Sequence, residues 1–121
     1  MKFFPVFCAL VVALPLSAAE WAFRDSDEIL TREEVEVLTA GQTIVFYDEG
    51  RSKYSVGGSY SYTYASGESA FGQYSIAADG TVCIAYRNGF GRCDRYVRSG
   101  GRIILLTESG LRFPIRPPQK N

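Results

Sequence analysis

Tyr60, Tyr62 and Tyr64 alternate with Ser59, Ser61 and Thr63, so on an extended strand all three rings fall on one face. That face has two uses. It can line a core or a sheet face, with its hydroxyls reaching polar partners or water, or it can form one wall of a pocket for an apolar, aromatic or sugar-like ligand. A second set of residues is basic: Arg92, Arg95, Arg98, Arg102, Arg112 and Arg116. These read either as a solvated outer face or as a patch for an anionic partner, such as a cell-envelope polymer, lipid headgroups or an acidic protein surface. Catalysis has little to stand on. The 121 residues include no histidine, which removes Ser-His and Cys-His nucleophile systems and histidine-based metal sites. Asp48 and Glu49 could do acid/base work in principle, but neighbours on a strand point to opposite faces, and in a turn they read as solvated charges. The expectation is a protein that is not an enzyme and carries no cofactor and no metal.

The residues that would position these groups centre on the stretch from Gly80 to Val97, two β-rich runs folded back on each other. Between them Arg87-Asn88-Gly89 has hairpin-turn chemistry, because Asn tolerates the left-handed conformation and Gly adopts it freely. With these three residues as the loop, Tyr86 faces Phe90 and Cys83 faces Cys93. Directly opposed residues lie within disulfide range, so the hairpin is expected to be stapled.

Lys2, the apolar run Phe3–Leu16 and the small residues Ser17, Ala18 and Ala19 have the form of an export signal cut after Ala19. The run is shorter than the ~20 residues a spanning helix needs, so no stable membrane anchor is expected, and Cys8 leaves with the signal. Residues 20–121 then form one domain. Its two remaining cysteines suit an oxidising compartment, the periplasm or the exterior. Net charge is zero, which with export argues against nucleic acid as a partner. The charge is nonetheless lopsided. Residues 20–49 hold nine acids and two arginines, whereas residues 87–121 hold eight basic residues and two acids, so the late strands should face the acidic N-terminal segment.

Glu20 to Leu30 reads as an arm laid over the domain. Thr31-Arg32-Glu33-Glu34 is a capping box that starts a short helix over about Arg32–Thr39, with Leu30 and Val35 at its staple positions and Gly41 placed to end it. After Gly41 the apolar period becomes alternating, and glycine-containing turns arrive every eight to twelve residues. Strands are expected near Thr43–Tyr47, Ser59–Ala65, Ala70–Ala77, Thr81–Tyr86, Gly91–Arg98, Arg102–Thr107 and Leu111–Arg116. The Gly50–Gly58 connection looks irregular and mobile. Seven short strands and one helix favour a small antiparallel up-and-down β-barrel or coiled meander, with a sandwich as the alternative. Eight-strand interiors hold either packed side chains or one small ligand, so the count leaves the tyrosine question open.

The capping-box helix in Leu30-Thr-Arg-Glu-Glu-Val-Glu-Val-Leu-Thr-Ala-Gly-Gln-Thr43, the segments Gly72-Gln-Tyr-Ser-Ile76 and Asp79-Gly-Thr-Val-Cys83, and the second cysteine Cys93 resemble the DUF995-like group, small exported proteobacterial proteins of uncharacterised function. The resemblance runs from about Leu30 to Phe113. Family members often carry Trp where this chain has Tyr74, and the tyrosine-rich strand is particular to this sequence. The fold it implies is a lipocalin-like β-barrel in the periplasm. Ser109-Gly110-Leu111-Arg112-Phe113 is similar to the Ser-Gly-x-x-Tyr segment that bacterial C-type lysozyme inhibitors present to their target, with Phe113 in place of the tyrosine. The functions carried forward are a small module binding an apolar, aromatic or envelope-derived ligand and, as the alternative, an inhibitor of a lysozyme through the Ser109-Gly110 turn.

Overall fold

A computed structural model describes residues 19–117. The expected export signal, save for Ala19, lies outside the described residues, as do Cys8 and Pro118. No helix among the described residues is long and apolar enough to cross a membrane.

The helix α1, Arg32–Thr39, starts where the capping box puts it: Thr31 Oγ1 accepts from the Glu34 amide at 3.2 Å and Glu34 Oε1 accepts from the Thr31 amide at 3.2 Å. Leu30 and Val35, flanking the cap, are both buried, which fixes the angle at which the chain enters the helix. Gly41 follows at φ 70°.

The rest is an antiparallel meander. Its strands are β2 (Thr43–Val45), β3 (Arg51–Tyr54), β4 (Ser59–Thr63), β5 (Ser69–Ile76), β6 (Val82–Tyr86), β7 (Gly91–Ser99), β8 (Arg102–Thr107) and β9 (Arg112–Pro114), each hydrogen-bonded to the next. A single continuous sheet excludes the sandwich. It curls until its ends touch, through a bridge between Phe46 and Ile115 and a hydrogen bond from the Arg116 amide to the Val45 carbonyl at 2.8 Å. A two-residue strand, β1 (Glu28–Ile29), adds to β7 beyond the point where β6 ends, pairing Ile29 with Val97.

β3 corrects the expectation of an irregular, mobile connection there. Arg51–Tyr54 pairs with β2 on one side and β4 on the other, and Ser52 and Tyr54 are fully buried. Alternation is present, but its inward positions carry hydroxyls, which an apolar count does not register. Their burial is tolerated because both are hydrogen-bonded. Ser52 Oγ meets Tyr60 Oη at 2.9 Å, and Tyr54 Oη meets Tyr96 Oη at 2.9 Å.

The β6–β7 hairpin has the expected register. The Tyr86 amide donates to the Phe90 carbonyl at 2.8 Å, Gly89 sits at φ 91°, and Cys83 faces Cys93 with Cα atoms 4.0 Å apart and the sulfurs bonded.

Two apolar clusters hold the fold. The inner one gathers Tyr54, Tyr60, Val82, Ile84, Tyr96 and Leu105 from the concave face, and Leu30 and Val35 from around α1. The outer one, Val97, Ile104 and Leu106, is sealed by Trp21 from residues 19–27, which lie as an arm over β7, β8 and β9. That arm is tied by Arg112, whose guanidinium donates to the Ala22 carbonyl at 2.7 Å and to both oxygens of Asp27.

Candidate functional site: the mouth of the curled sheet

Along β7 the side chains of Arg92, Asp94 and Tyr96 share the concave face, while Cys93, Arg95 and Val97 face outward. Near the end of β7 Arg98 pairs with Glu34 of α1 at 2.8 Å, so the helix covers the interior at that end. At the other end, where Arg92 sits, the interior opens in a cavity of about 220 Å³. Tyr62 of β4 and Tyr64 just past its end form one wall, their rings edge to face with centroids 4.9 Å apart. Phe46, Leu105 and Phe113 contribute apolar surface, and Asp48 and Thr107 are the polar lining beside Arg92.

The tyrosines therefore run from the core to the cavity wall along one face. Tyr60 is buried in the core, its phenol pushed well up by burial. Tyr62 is half-buried and also shifted up, by burial and then by the nearby Asp48 carboxylate. Tyr64 is exposed at the rim. Gly50 backs this wall: a side-chain carbon there would collide with the Tyr62 hydroxyl.

Arg92 joins the cavity to the core. Its Nη2 donates to Tyr60 Oη at 2.8 Å, its Nε lies 3.2 Å from Asp94 Oδ2, and its guanidinium carbon lies 5.4 Å from the centre of the Tyr62 ring and 6.0 Å from that of Tyr86. Among the described residues neither Arg92 Nε nor Asp94 Oδ2 has a hydrogen-bond partner, so their attraction is that of opposed charges. The Asp94 side chain is 1% exposed, while Arg92 keeps 35% of its side chain accessible. Burial pushes the Asp94 carboxyl up to about 6, and the Arg92 charge limits that rise.

The other arginines do not gather into one patch, which corrects the sequence expectation of a shared Arg92, Arg95 and Arg98 surface. Arg95 faces outward, stacks over Phe23 at 5.6 Å and donates to the Asp79 carbonyl at 3.1 Å. Arg98 sits between Glu34 and Glu28, Arg112 holds Asp27, and Arg116 lies 2.6 Å from Glu49. Three of these partners, Asp27, Glu28 and Glu34, belong to the arm, β1 and α1, as the charge asymmetry requires. Arg102 is exposed.

Ser109 is exposed in the β8–β9 turn, where its Oγ lies 3.0 Å from Thr107 Oγ1. One flank of Gly110 is occupied by the arm, with the Glu20 carbonyl 3.2 Å from where a side-chain carbon would stand. Phe113 is separated from that turn and lines the mouth. The mouth thus brings together Tyr62, Tyr64, Arg92 and Phe113, which the sequence places in three unrelated groups.

Sequence reasoning passed over Asp94, Phe46, Leu105 and Thr107, and took Asp48 only as a loop charge. Asp94 was within reach, since the Cys83–Cys93 register places it between Arg92 and Tyr96 on the inward face. Nothing local marks Phe46 or Leu105. Among the described residues no group of three or more His, Cys, Asp or Glu side chains could hold a metal ion.

This chain matches no protein-family model, no curated protein and no solved structure. Its function is therefore inferred from the mouth itself.

Proposed function

We propose that this protein is an exported, non-enzymatic binding module that takes one small aromatic or apolar ligand in the mouth of its curled sheet. The observation that carries the reading is the cavity of about 220 Å³ walled by Tyr62, Tyr64 and Phe113. Ligand sites are concave and mostly apolar with a few placed polar groups, and this one combines aromatic walls with a single guanidinium. Its size suits a one- or two-ring compound, since sites for drug-sized ligands begin near roughly 300 Å³. The intramolecular disulfide supports export, because such bonds persist in oxidising compartments. Lysozyme inhibition through Ser109-Gly110 is left outside this proposal: the arm takes one flank of the turn, and Phe113 is turned to the mouth.

A neutral fluorescent probe, N-phenyl-1-naphthylamine, tests the reading. Wild type should raise its emission saturably with one site, and the Tyr62→Ala/Tyr64→Ala double variant should lose at least ten-fold in affinity. No saturable binding by wild type, or equal binding by the double variant, would remove the proposal.

A further inference from the structure

We infer that the mouth is specific for a monoanion, a small aromatic carboxylate whose carboxylate sits on Arg92 while its ring lies against Tyr62, Tyr64 and Phe113. The inference rests on the binding function just proposed and names the ligand's charge.

A guanidinium carries five donors in a planar fork that matches a carboxylate with two parallel hydrogen bonds. In Arg92 one nitrogen, Nη2, is engaged with Tyr60 and another, Nε, faces Asp94. Arg92 is nonetheless part of the cavity lining, with 35% of its side chain accessible. Packing beside Tyr60, Tyr62 and Tyr86 fixes its plane, so little side-chain freedom is left to lose when an anion docks. Asp94 lies beneath it and is itself closed to solvent, where it orients Arg92 without reaching a ligand.

The charges select among anions. Arg92 is the cation of the lining, Asp48 is a carboxylate in the same lining, and Asp94 already offsets part of the Arg92 charge from below. A second negative charge on the ligand would meet Asp48 without a cation to answer it. A monocarboxylate fits this arrangement and a phosphate dianion does not. The apolar surface of Phe46, Leu105 and Phe113 then requires that the rest of the ligand be a ring or hydrocarbon.

The experiment compares near-isosteric ligands by calorimetry on the purified wild-type protein at neutral pH: 1-naphthoate, the uncharged 1-naphthamide and 1-naphthyl phosphate. Naphthoate should bind at least ten-fold more tightly than naphthamide, and naphthyl phosphate more weakly than naphthoate. In Arg92→Met/Asp94→Asn, which removes both charges of the pair together, naphthamide should still bind and the naphthoate preference should fall to about one. Arg92→Lys keeps a cation opposite Asp94 and guards against a double variant that does not fold. Its preference should fall below three-fold. Equal binding of naphthoate and naphthamide to wild type would overturn this inference and leave the binding function standing, whereas binding of neither would overturn both. A ten-fold preference that survives in Arg92→Lys, or a phosphate that binds more tightly than the carboxylate, would overturn the assignment to Arg92 and a monocarboxylate.

Discussion

Arg112 and Asp27, 85 residues apart, meet in a two-point ion pair, Nη1 to Oδ2 at 2.7 Å and Nη2 to Oδ1 at 2.9 Å. Their side chains are 11% and 1% exposed, so the pair is sheltered and pins the arm that seals Val97, Ile104 and Leu106. The hydrogen bonds from Arg112 hold the Asp27 carboxyl down at about 2, against the cost of burying it. A carboxylate whose folded pKa is depressed binds fewer protons in the folded state, so its stabilisation is present above about 4 and is lost as pH falls through about 2. Asp27→Asn should cost on the order of 1–2 kcal/mol at pH 7, after allowance for partial screening, and almost nothing at pH 2. Denaturant melts at both pH values check this, and an equal loss at pH 2 would show that the carboxylate charge is not what matters.

The hydroxyl pair Tyr54–Tyr96 lies in the middle of the core. Tyr96→Phe should cost about 1–3 kcal/mol, because it leaves a buried Tyr54 hydroxyl without its partner. Removing both hydroxyls in Tyr54→Phe/Tyr96→Phe should cost less than the sum of the two single changes. Urea unfolding of the three variants measures the coupling, and simple additivity would contradict it.

The Cys83–Cys93 bond closes a loop with a sequence separation of 10, worth about 2.5–3 kcal/mol in the chain-entropy description. Cys83→Ser/Cys93→Ser should therefore fold with stability lowered by about that amount, and the addition of dithiothreitol to wild type should reproduce the shift. Free thiols titrated in denatured, unreduced protein would count against the bond.

Arg92→Met strands the Asp94 carboxylate in the core. Arg92 keeps 35% of its side chain accessible, so the loss should fall below the roughly 3–5 kcal/mol of a fully buried pair. In wild type the Asp94 carboxyl already stands at about 6, raised by burial. A raised carboxyl binds protons preferentially in the folded state, so this group makes the protein more stable as pH falls from 7 towards 4. In Arg92→Met the rise is larger, and the defect should be greatest at pH 7.5 and smaller at pH 5. Thermal melts across this range give the sign, with Glu108, whose charge also raises the Asp94 carboxyl, left unchanged. A defect that grows towards pH 5 would reverse the account.

Gly50→Ala presses on the wall of the mouth from behind. The new methyl would meet the end of the Tyr62 side chain rather than backbone, so the ring can swing away. Stability should fall by about 1–3 kcal/mol, the cost of overpacking a buried position, while N-phenyl-1-naphthylamine affinity should fall several-fold. Unaltered probe affinity in the folded variant would show that Tyr62 is not part of the binding wall.

The sequence alone determined what depends on neighbours in the chain. The capping box starts α1 because its two hydrogen bonds span three residues, and the Arg87-Asn88-Gly89 loop sets the Cys83–Cys93 register because a short turn leaves one pairing open. The alternating runs with glycine turns were enough for an antiparallel meander. Tertiary structure decided the rest. β3 was hidden because Ser52 and Tyr54 are buried through hydroxyl partners on β4 and β7 rather than through hydrocarbon. The arginines, adjacent on a sequence ruler, were parted by strand parity and by curling: Arg92 went inward to the tyrosines, Arg95 outward, and Arg98 to the helix end. The mouth itself depends on where the two ends of the sheet meet, at Phe46 and Ile115. Only that long-range closure brings Asp48, Tyr62, Arg92 and Phe113 around one cavity, because no local pattern encodes how far a twisted sheet must curl before its edges touch.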